Sequence, residues 1–262
     1  ISYSYIAIVL QASANYNTIT NNTLNSNGNA GIWLIYSNNS NIFNNTVNYN
    51  AIGFSYTYLS SNNNITGGTI ASSISYDYNL LSAGTSNNFT NTNFTDVRRI
   101  YFFDATSWFN YNNQTNGNIW LKTNVSAQAT ITRELINWNS TLMQWNDTNS
   151  SGTDIIARYN ITGLNADKYY NVYNNSVLAY ILQTNATGDL PSFTIFLNGE
   201  REVKVQQEAN CQIYINSLPY NITQNNTYYC LNTSSTTYPN INGNGIQFGN
   251  SSDWAIQNTT LD

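Results

Sequence analysis

Ile19-Thr20-Asn21-Asn22-Thr23-Leu24 returns in outline as Ile42-Phe43-Asn44-Asn45-Thr46-Val47, and these two stretches decide the fold. Each sets two apolar residues on either side of a short polar run. Ile65/Ile70 and Phe89/Phe94 repeat the pair, so that successive copies stand 23, 23 and 24 residues apart. A fifth pair, Ile256/Leu261, lies near the end of the chain. A second apolar stretch precedes each of the first four copies, beginning at Ile8, Ile32, Ile52 and Tyr76. A period in the twenties, with at least two short strand signals and Asn/Ser/Gly turns in each period, marks stacked coils.

Alternation along a strand lets such a coil turn Ile, Leu, Val and Phe inward and leave Thr, Ser and Asn to water. One coil cannot bury its own apolar edge. Stacking at about 4.8 Å does so, and it piles like residues into ladders. Leucine-rich repeats share the length but require a Leu-dense consensus with a helical return, which is missing. The expected fold is therefore all-β, with parallel β-helix coils of about 23 residues, and Ile42 should be an inward ladder residue between Ile19 and Ile65.

Charge is scarce: Asp, Glu, Lys and Arg make up 8% of the 262 residues, against about 25% in an average soluble domain. Asn supplies 50 residues and Ser plus Thr 56, so the exterior is expected to be clothed in amides and hydroxyls. With few carboxylates to keep ionised, such a surface is insensitive to acid, which suits an acidic habitat. A net charge of −5 without a basic run argues against nucleic acid as a partner. No apolar run is long enough to span a bilayer, and Tyr5-Ile6-Ala7-Ile8-Val9-Leu10 falls well short.

Asn-x-Ser/Thr triplets number 19, where this composition would produce about 11 by chance. Their asparagines are Asn21, Asn38, Asn44, Asn64, Asn88, Asn93, Asn113, Asn124, Asn139, Asn146, Asn149, Asn160, Asn174, Asn185, Asn221, Asn225, Asn232, Asn250 and Asn258. The excess points to an extracellular, cell-surface chain carrying covalent N-glycans at many of these sites. Asn21 and Asn44 hold the same place in consecutive coils, about 4.8 Å apart, and two glycans there would collide. The only two cysteines, Cys211 and Cys230, are expected to pair as a disulfide in that setting. No histidine is present, so neither a metal centre nor another cofactor is expected.

Four segments follow. Residues 1–97 form the coils, and 98–117 read as an aromatic junction or cap around Ile100-Tyr101-Phe102-Phe103. Residues 118–208 carry separate strand signals at 119–125, 129–135, 142–145, 155–161, 169–173, 177–182 and 193–197, with 202–206 as a further candidate, which suggests an antiparallel β-sandwich. A helix over 130–145 competes, but the β-branched residues there alternate. Asn174-Asn175 reads as a tight hairpin turn. Residues 209–262 hold the cysteine loop and the opening coils of a second β-helix.

Two resemblances attach to these residues. Tyr159-Asn-Ile-Thr-Gly163-Leu164 through Tyr169-Tyr170-Asn-Val172-Tyr173 resembles the strand-to-strand corner of fibronectin-type-III and immunoglobulin-like sandwiches, with Leu164 and Tyr170 in the corner positions and Ala166 where that family usually has Pro. The coils and the ending Trp254-Ala-Ile256-Gln-Asn-Thr-Thr-Leu261 resemble the NosD-like right-handed parallel β-helix repeats, as found in large archaeal surface and filament glycoproteins that alternate coils with sandwich modules. That resemblance implies a fold rather than an activity. Copper binding does not carry over, because one Met and no His leave no suitable ligands.

Catalysis finds little material. Polysaccharide-cleaving β-helices need clustered carboxylates on adjacent coils, but Asp77 is the only acidic residue in 1–95 and no Lys or Arg occurs there. Asp96, Arg98, Arg99 and Asp104 form the one acid-base cluster nearby, expected to be an ion-pair group at the junction. Trp138 with Trp145, or Tyr169 with Tyr170 and Tyr173, are candidate sugar-stacking surfaces, though alternating aromatics of this kind belong more often to a sandwich core. The expected function is a structural surface or filament subunit whose partners are copies of itself, stacked head to tail. An adhesin or carbohydrate-binding module is the alternative, and a polysaccharide-degrading enzyme ranks last.

Overall fold

A computed structural model describes residues 1–81, 86–94, 96–114 and 117–208, and beyond them the backbone of five short strands together with Ile215. Among these residues the fold is all-β, without a helix, and contains a β-solenoid of about four turns.

The first turn is built from β1 (Ile8–Leu10), β2 (Thr18–Thr20) and β3 (Thr23–Asn25), the second from β4 (Ala30–Ile35), β5 (Asn41–Phe43) and β6 (Thr46–Asn48). β7 (Ile52–Thr57), β8 (Asn64–Thr66) and β9 (Thr69–Ala71) make the third. β10 (Tyr76–Leu81) and β11 (Asn88–Thr90) continue it, followed by β12 (Arg98–Phe102) and β13 (Phe109–Asn112). Three parallel faces result: β1-β4-β7-β10-β12, β2-β5-β8-β11-β13 and β3-β6-β9.

The expected ladders are present. Ile19 pairs with Ile42, Ile42 with Ile65, Ile65 with Phe89, and Phe89 with Tyr111. On the third face Leu24, Val47 and Ile70 line up likewise. On the first face the inward columns are Ile8-Ile32-Phe54-Tyr78-Ile100 and Leu10-Leu34-Tyr56-Leu80-Phe102. One detail differs from the sequence reading. β4 begins at Ala30 rather than Ile32, and Ile52 stands opposite Ala30. The hidden lead-in contains Gly31, where a Cβ would lie 2.2 Å from Val47 Cγ1, and Gly53 one coil on would bring one within 2.6 Å of Ile70 Cγ2. Glycine lets the first face close on the third, and glycine is also what conceals a strand start.

The corners obey a second rule. A residue in the left-handed region turns the chain, and the next residue points its polar side chain into the stack: Asn21/Asn22, Asn44/Asn45, Ser26/Asn27, Tyr49/Asn50, Asn39/Ser40 and Asn62/Asn63 are examples. Asn27, Asn45, Asn50 and Asn63 are all buried. Asn50 Oδ1 accepts from the Asn27 backbone N–H at 2.9 Å and from Asn27 Nδ2 at 2.8 Å, while Asn50 Nδ2 donates to the Leu24 carbonyl at 2.9 Å. Asn63 and Asn87 repeat the arrangement at 3.0 and 2.9 Å. These amide ladders satisfy the backbone groups that each bend takes out of the sheet.

The solenoid does not stop at a linker. β12, parallel to β10 on one edge, pairs antiparallel on the other with β15 (Ala129–Trp138); β13, parallel to β11, pairs antiparallel with β14 (Trp120–Val125). Two solenoid faces thus run on as antiparallel sheets. β16 (Leu142–Asn149), β17 (Ile155–Thr162), β18 (Tyr169–Asn174), β19 (Val177–Gln183), β20 (Phe193–Leu197) and β21 (Glu200–Gln207) complete them in the orders β15-β16-β21-β18-β19 and β14-β17-β20. The competing helix over 130–145 is absent: that stretch is β15 and the start of β16, paired antiparallel. Asn175 and Ser176 close the β18–β19 hairpin, both with positive φ.

One apolar cluster fills the whole. Its aromatic content rises toward the join, where Phe89, Phe109, Phe94 and Tyr111 pack ring to ring and Trp138 of β15 meets Tyr111 at 5.4 Å. Bulky rings thus fill the space between the last coil and the antiparallel sheets.

Past residue 208, β22 (Ile213–Ile215), β24 (Tyr228–Leu231) and β26 (Thr260–Leu261) pair in parallel, as do β23 (Tyr220–Ile222) and β25 (Ile246–Phe248). The expected pairing of Cys211 with Cys230 lies outside the described residues, as do the side chains of the Ile256/Leu261 pair.

Candidate functional surfaces

The acid-base cluster expected at the junction does not assemble into ion pairs among the described residues. Arg98 is buried and donates to the carbonyls of Asn93, Asp96 and Val97, its guanidinium over the Phe94 ring. Arg99 donates its side chain to the Ser73 carbonyl and its backbone N–H to Asp77 Oδ2. Asp104 accepts from the backbone and hydroxyls of Thr106 and Ser107. Burial opposes the Asp104 charge, but these four hydrogen bonds together hold its pKa below the usual carboxylate range. Alternation of side chains along β12 separates the two arginines: Arg98 turns inward, while Arg99 is only partly buried.

The charges that do meet are elsewhere. Arg133 on β15 forms a two-pronged salt bridge to Asp147 on β16, at 2.7 and 2.6 Å, and the Tyr159 hydroxyl on β17 donates to the same carboxylate at 2.7 Å. All three are buried between the facing sheets. Burial opposes the Arg133 charge, but Asp147 outweighs it and raises the pKa; burial and then Asp147 hold the Tyr159 phenol well above its ordinary value. No sequence signal separated this triad from ordinary strand alternation, because its members come from three strands. Enclosed, with the Arg133 charge met by Asp147 through Nε and Nη2 while Nη1 has no hydrogen-bond partner among the described residues, it acts as a structural clamp.

Trp145 and Trp138 are core residues, packed on Tyr159 and Tyr111 respectively. Tyr170 is buried as well: its hydroxyl accepts the Asn165 backbone N–H at 3.1 Å and donates to the Ser140 carbonyl at 2.6 Å, and Leu164 is buried too. Tyr173 is partly exposed, with the Lys204 ammonium 4.4 Å from its ring centre. A cleft of about 310 Å³ opens between the last coil and β15, lined in part by Asn93, Phe94, Tyr111, Asn137 and Trp138.

Sequon asparagines fall into distinct environments. Asn21, Asn44, Asn64, Asn93, Asn139 and Asn185 are exposed; Asn38, Asn88, Asn113, Asn146, Asn149, Asn160 and Asn174 are partly so. Asn124 is buried, its Nδ2 donating to the carbonyls of Ala105 and Ser107 at 2.7 and 2.9 Å. Asn221, Asn225, Asn232, Asn250 and Asn258 lie outside the residues whose side chains are described. Asn139 and Asn185 sit at loop tips, each accepting the hydroxyl of its own sequon threonine at 2.8 Å.

The remaining surface is the first layer of the described stack. β1 and β2 are the first strands of their sheets, the outer side of β3 is taken by Ile1 to Ser4, and Ile8 and Leu10 are only partly buried there. No family model, curated protein or solved structure matches this chain.

Proposed function

We propose that the chain is a structural, N-glycosylated extracellular subunit of a cell surface or filament, which assembles head to tail by β-solenoid stacking. The observation that carries this reading is the end layer. β1 and β2 are the outermost strands of their faces, and on the third face Ile1 to Tyr5 lie over β3 through the Ser2–Asn25 bridge; together they cover an apolar layer that includes Ile8 and Leu10. An edge of this kind is a template for further strands. The parallel pairs of β22, β24 and β26 are the matching geometry at the other end of the chain. A contact between unlike ends propagates without closing and gives a fibre. The antiparallel unit is read as an immunoglobulin- or fibronectin-III-like sandwich; the Tyr170–Asn165 corner supports it, at the position where that family places one. A surface of amides and hydroxyls, supplemented by sugars, accounts for solubility at 8% charge.

Electron microscopy and concentration-dependent light scattering test the assembly. Native material should form linear arrays, and Ile8→Asp with Leu10→Asp, which put carboxylates on the end layer, should leave folded monomers. Native protein that stays monomeric at every concentration would refute the reading.

A further inference from the structure

Five tyrosines of the solenoid, Tyr3, Tyr16, Tyr36, Tyr49 and Tyr58, occupy the left-handed backbone region, with φ between 50° and 60°. Their rings lie in solvent, from 50% exposed at Tyr36 to 89% at Tyr3. An aromatic L-residue is disfavoured there by its own Cβ, and Asn, which holds comparable corners at Asn21, Asn39 and Asn44, adopts the conformation more readily. A ring at least half exposed adds nothing to the apolar core in exchange. Strain accepted at a position that contributes nothing to the core points to a use outside folding.

Two of these rings converge. Tyr36 and Tyr58 stack with centroids 5.1 Å apart and planes 16° from parallel. Beside them runs a groove of about 210 Å³ lined by Trp33, Thr57, Tyr58, Leu81 and Phe103. Trp33 Nε1 donates to Thr57 Oγ1 at 3.2 Å, which fixes the indole on the outer face of β4. Phe103 is itself exposed.

The electrostatics select the occupant. Across residues 1–95 there is no Lys or Arg, and the single acidic residue, Asp77, is buried. Asp104, next to Phe103, is held by Thr106 and Ser107. A nucleic acid, an anionic lipid or a charged protein rim would meet no counter-charge here. A neutral sugar polymer needs none: it presents apolar ring faces to aromatics and hydroxyls to amide and hydroxyl groups, which is what this surface offers.

We infer that the platform of Tyr36 and Tyr58, with the adjoining Trp33–Phe103 groove, binds a neutral polysaccharide. The inference stands apart from head-to-tail assembly, because these residues lie on the side of the stack and not on its end.

Affinity electrophoresis of the full chain through gels containing a soluble β-glucan or mannan, with alginate as the charged control, tests it. The wild type should be retarded by at least one neutral polymer and not by alginate. Tyr36→Asn with Tyr58→Asn should weaken that retardation at least 10-fold while the melting temperature stays level or rises, since Asn relieves the backbone. Phe103→Ser gives an independent variant with the same expected loss. No retardation by either neutral polymer, retardation unchanged by the substitutions, or preference for alginate would overturn the proposal. So would an effect of the substitutions confined to sedimentation or to binding of phosphatidylcholine vesicles, which would identify the patch as a self-contact or a lipid-facing surface.

Discussion

Asn45 reaches across one turn of the stack to Asn22: its Oδ1 accepts both the backbone N–H of Asn22, at 3.0 Å, and that residue's side-chain amide, at 3.1 Å. Its own Nδ2 donates to the carbonyls of Ile19 and Phe43, at 2.9 and 3.1 Å. A single buried amide therefore satisfies backbone groups on two coils. Asn45→Ala should cost about 3 kcal/mol, because each buried group left without a partner costs about 1–3 kcal/mol. Asn45→Asp should cost more, since a carboxylate cannot donate to the two carbonyls. Chemical denaturation with an unchanged m-value is the measurement; a loss below 1 kcal/mol would show that water replaces the amide.

The Arg133–Asp147 clamp gives an opposed pair of outcomes. Asp147→Asn leaves a buried guanidinium without its anion and should destabilise by about 3–5 kcal/mol. Replacing both partners, Arg133→Met with Asp147→Leu, removes the buried charges, leaves only the Tyr159 hydroxyl without its acceptor, and should recover most of that loss. Thermal melts of the single and double variants separate a stabilising pair from one that only avoids a penalty.

Alkali should unfold this protein more readily than acid. Burial pushes the phenols of Tyr56, Tyr78 and Tyr111 upward, and burial with Asp147 does the same for Tyr159. A raised pKa in the folded state leaves stability intact below the unfolded value and removes it as pH climbs past that value, about 10. On the acid side only 13 carboxylic side chains exist. Asp104, whose pKa is lowered, contributes stability above the ordinary carboxylate value that is lost as pH falls through its own. Circular dichroism should stay flat from mildly acidic to mildly alkaline pH and then drop above about pH 10, in step with tyrosinate absorbance at the buried rings. Ionisation of the buried rings themselves, well before the loss of structure, would contradict the burial.

Site-resolved glycopeptide mass spectrometry should find sugar at Asn139 and Asn185, exposed loop tips where Asn185 Nδ2 makes one long, solvent-exposed contact to Asp189 Oδ2 at 3.3 Å. Asn124 should be bare, because its Nδ2, the atom a glycan would occupy, is committed to two carbonyls. Stacked sequons should exclude one another: Asn21 with Asn44 one coil on, and Asn64 with Asn88, whose side chains already touch at 3.4 Å. Double occupancy of either pair on one chain would show that the corners splay in solution.

The ladder register was legible from residues 19–94, because inward Ile, Val, Leu and Phe recur at a spacing that one coil must keep to stack on the next. The antiparallel strands were legible too, as alternation bounded by Gly and Asn. The corners were not. Asn45 and Asn63 look like surface polar residues in sequence, and only the left-handed residue before each turns it inward. Nor did Arg98 declare itself: its charge suggested an ion pair at the junction, whereas backbone carbonyls and the Phe94 ring hold it in the interior. The tyrosine platform escaped because its signal is the conformation of Tyr36 and Tyr58, not their identity.

The passage of two solenoid faces into antiparallel sheets through β12 and β13 has a mechanical meaning. Inter-strand hydrogen bonds run along the axis of the stack, so tension on that axis loads every bond of a layer at once and the layer yields as a unit. At the join no flexible connector takes up extension, and the layer below it is bonded on the same two faces as the layer above. Load therefore crosses the boundary through paired backbone, and the weakest plane is wherever a layer has the fewest bonds.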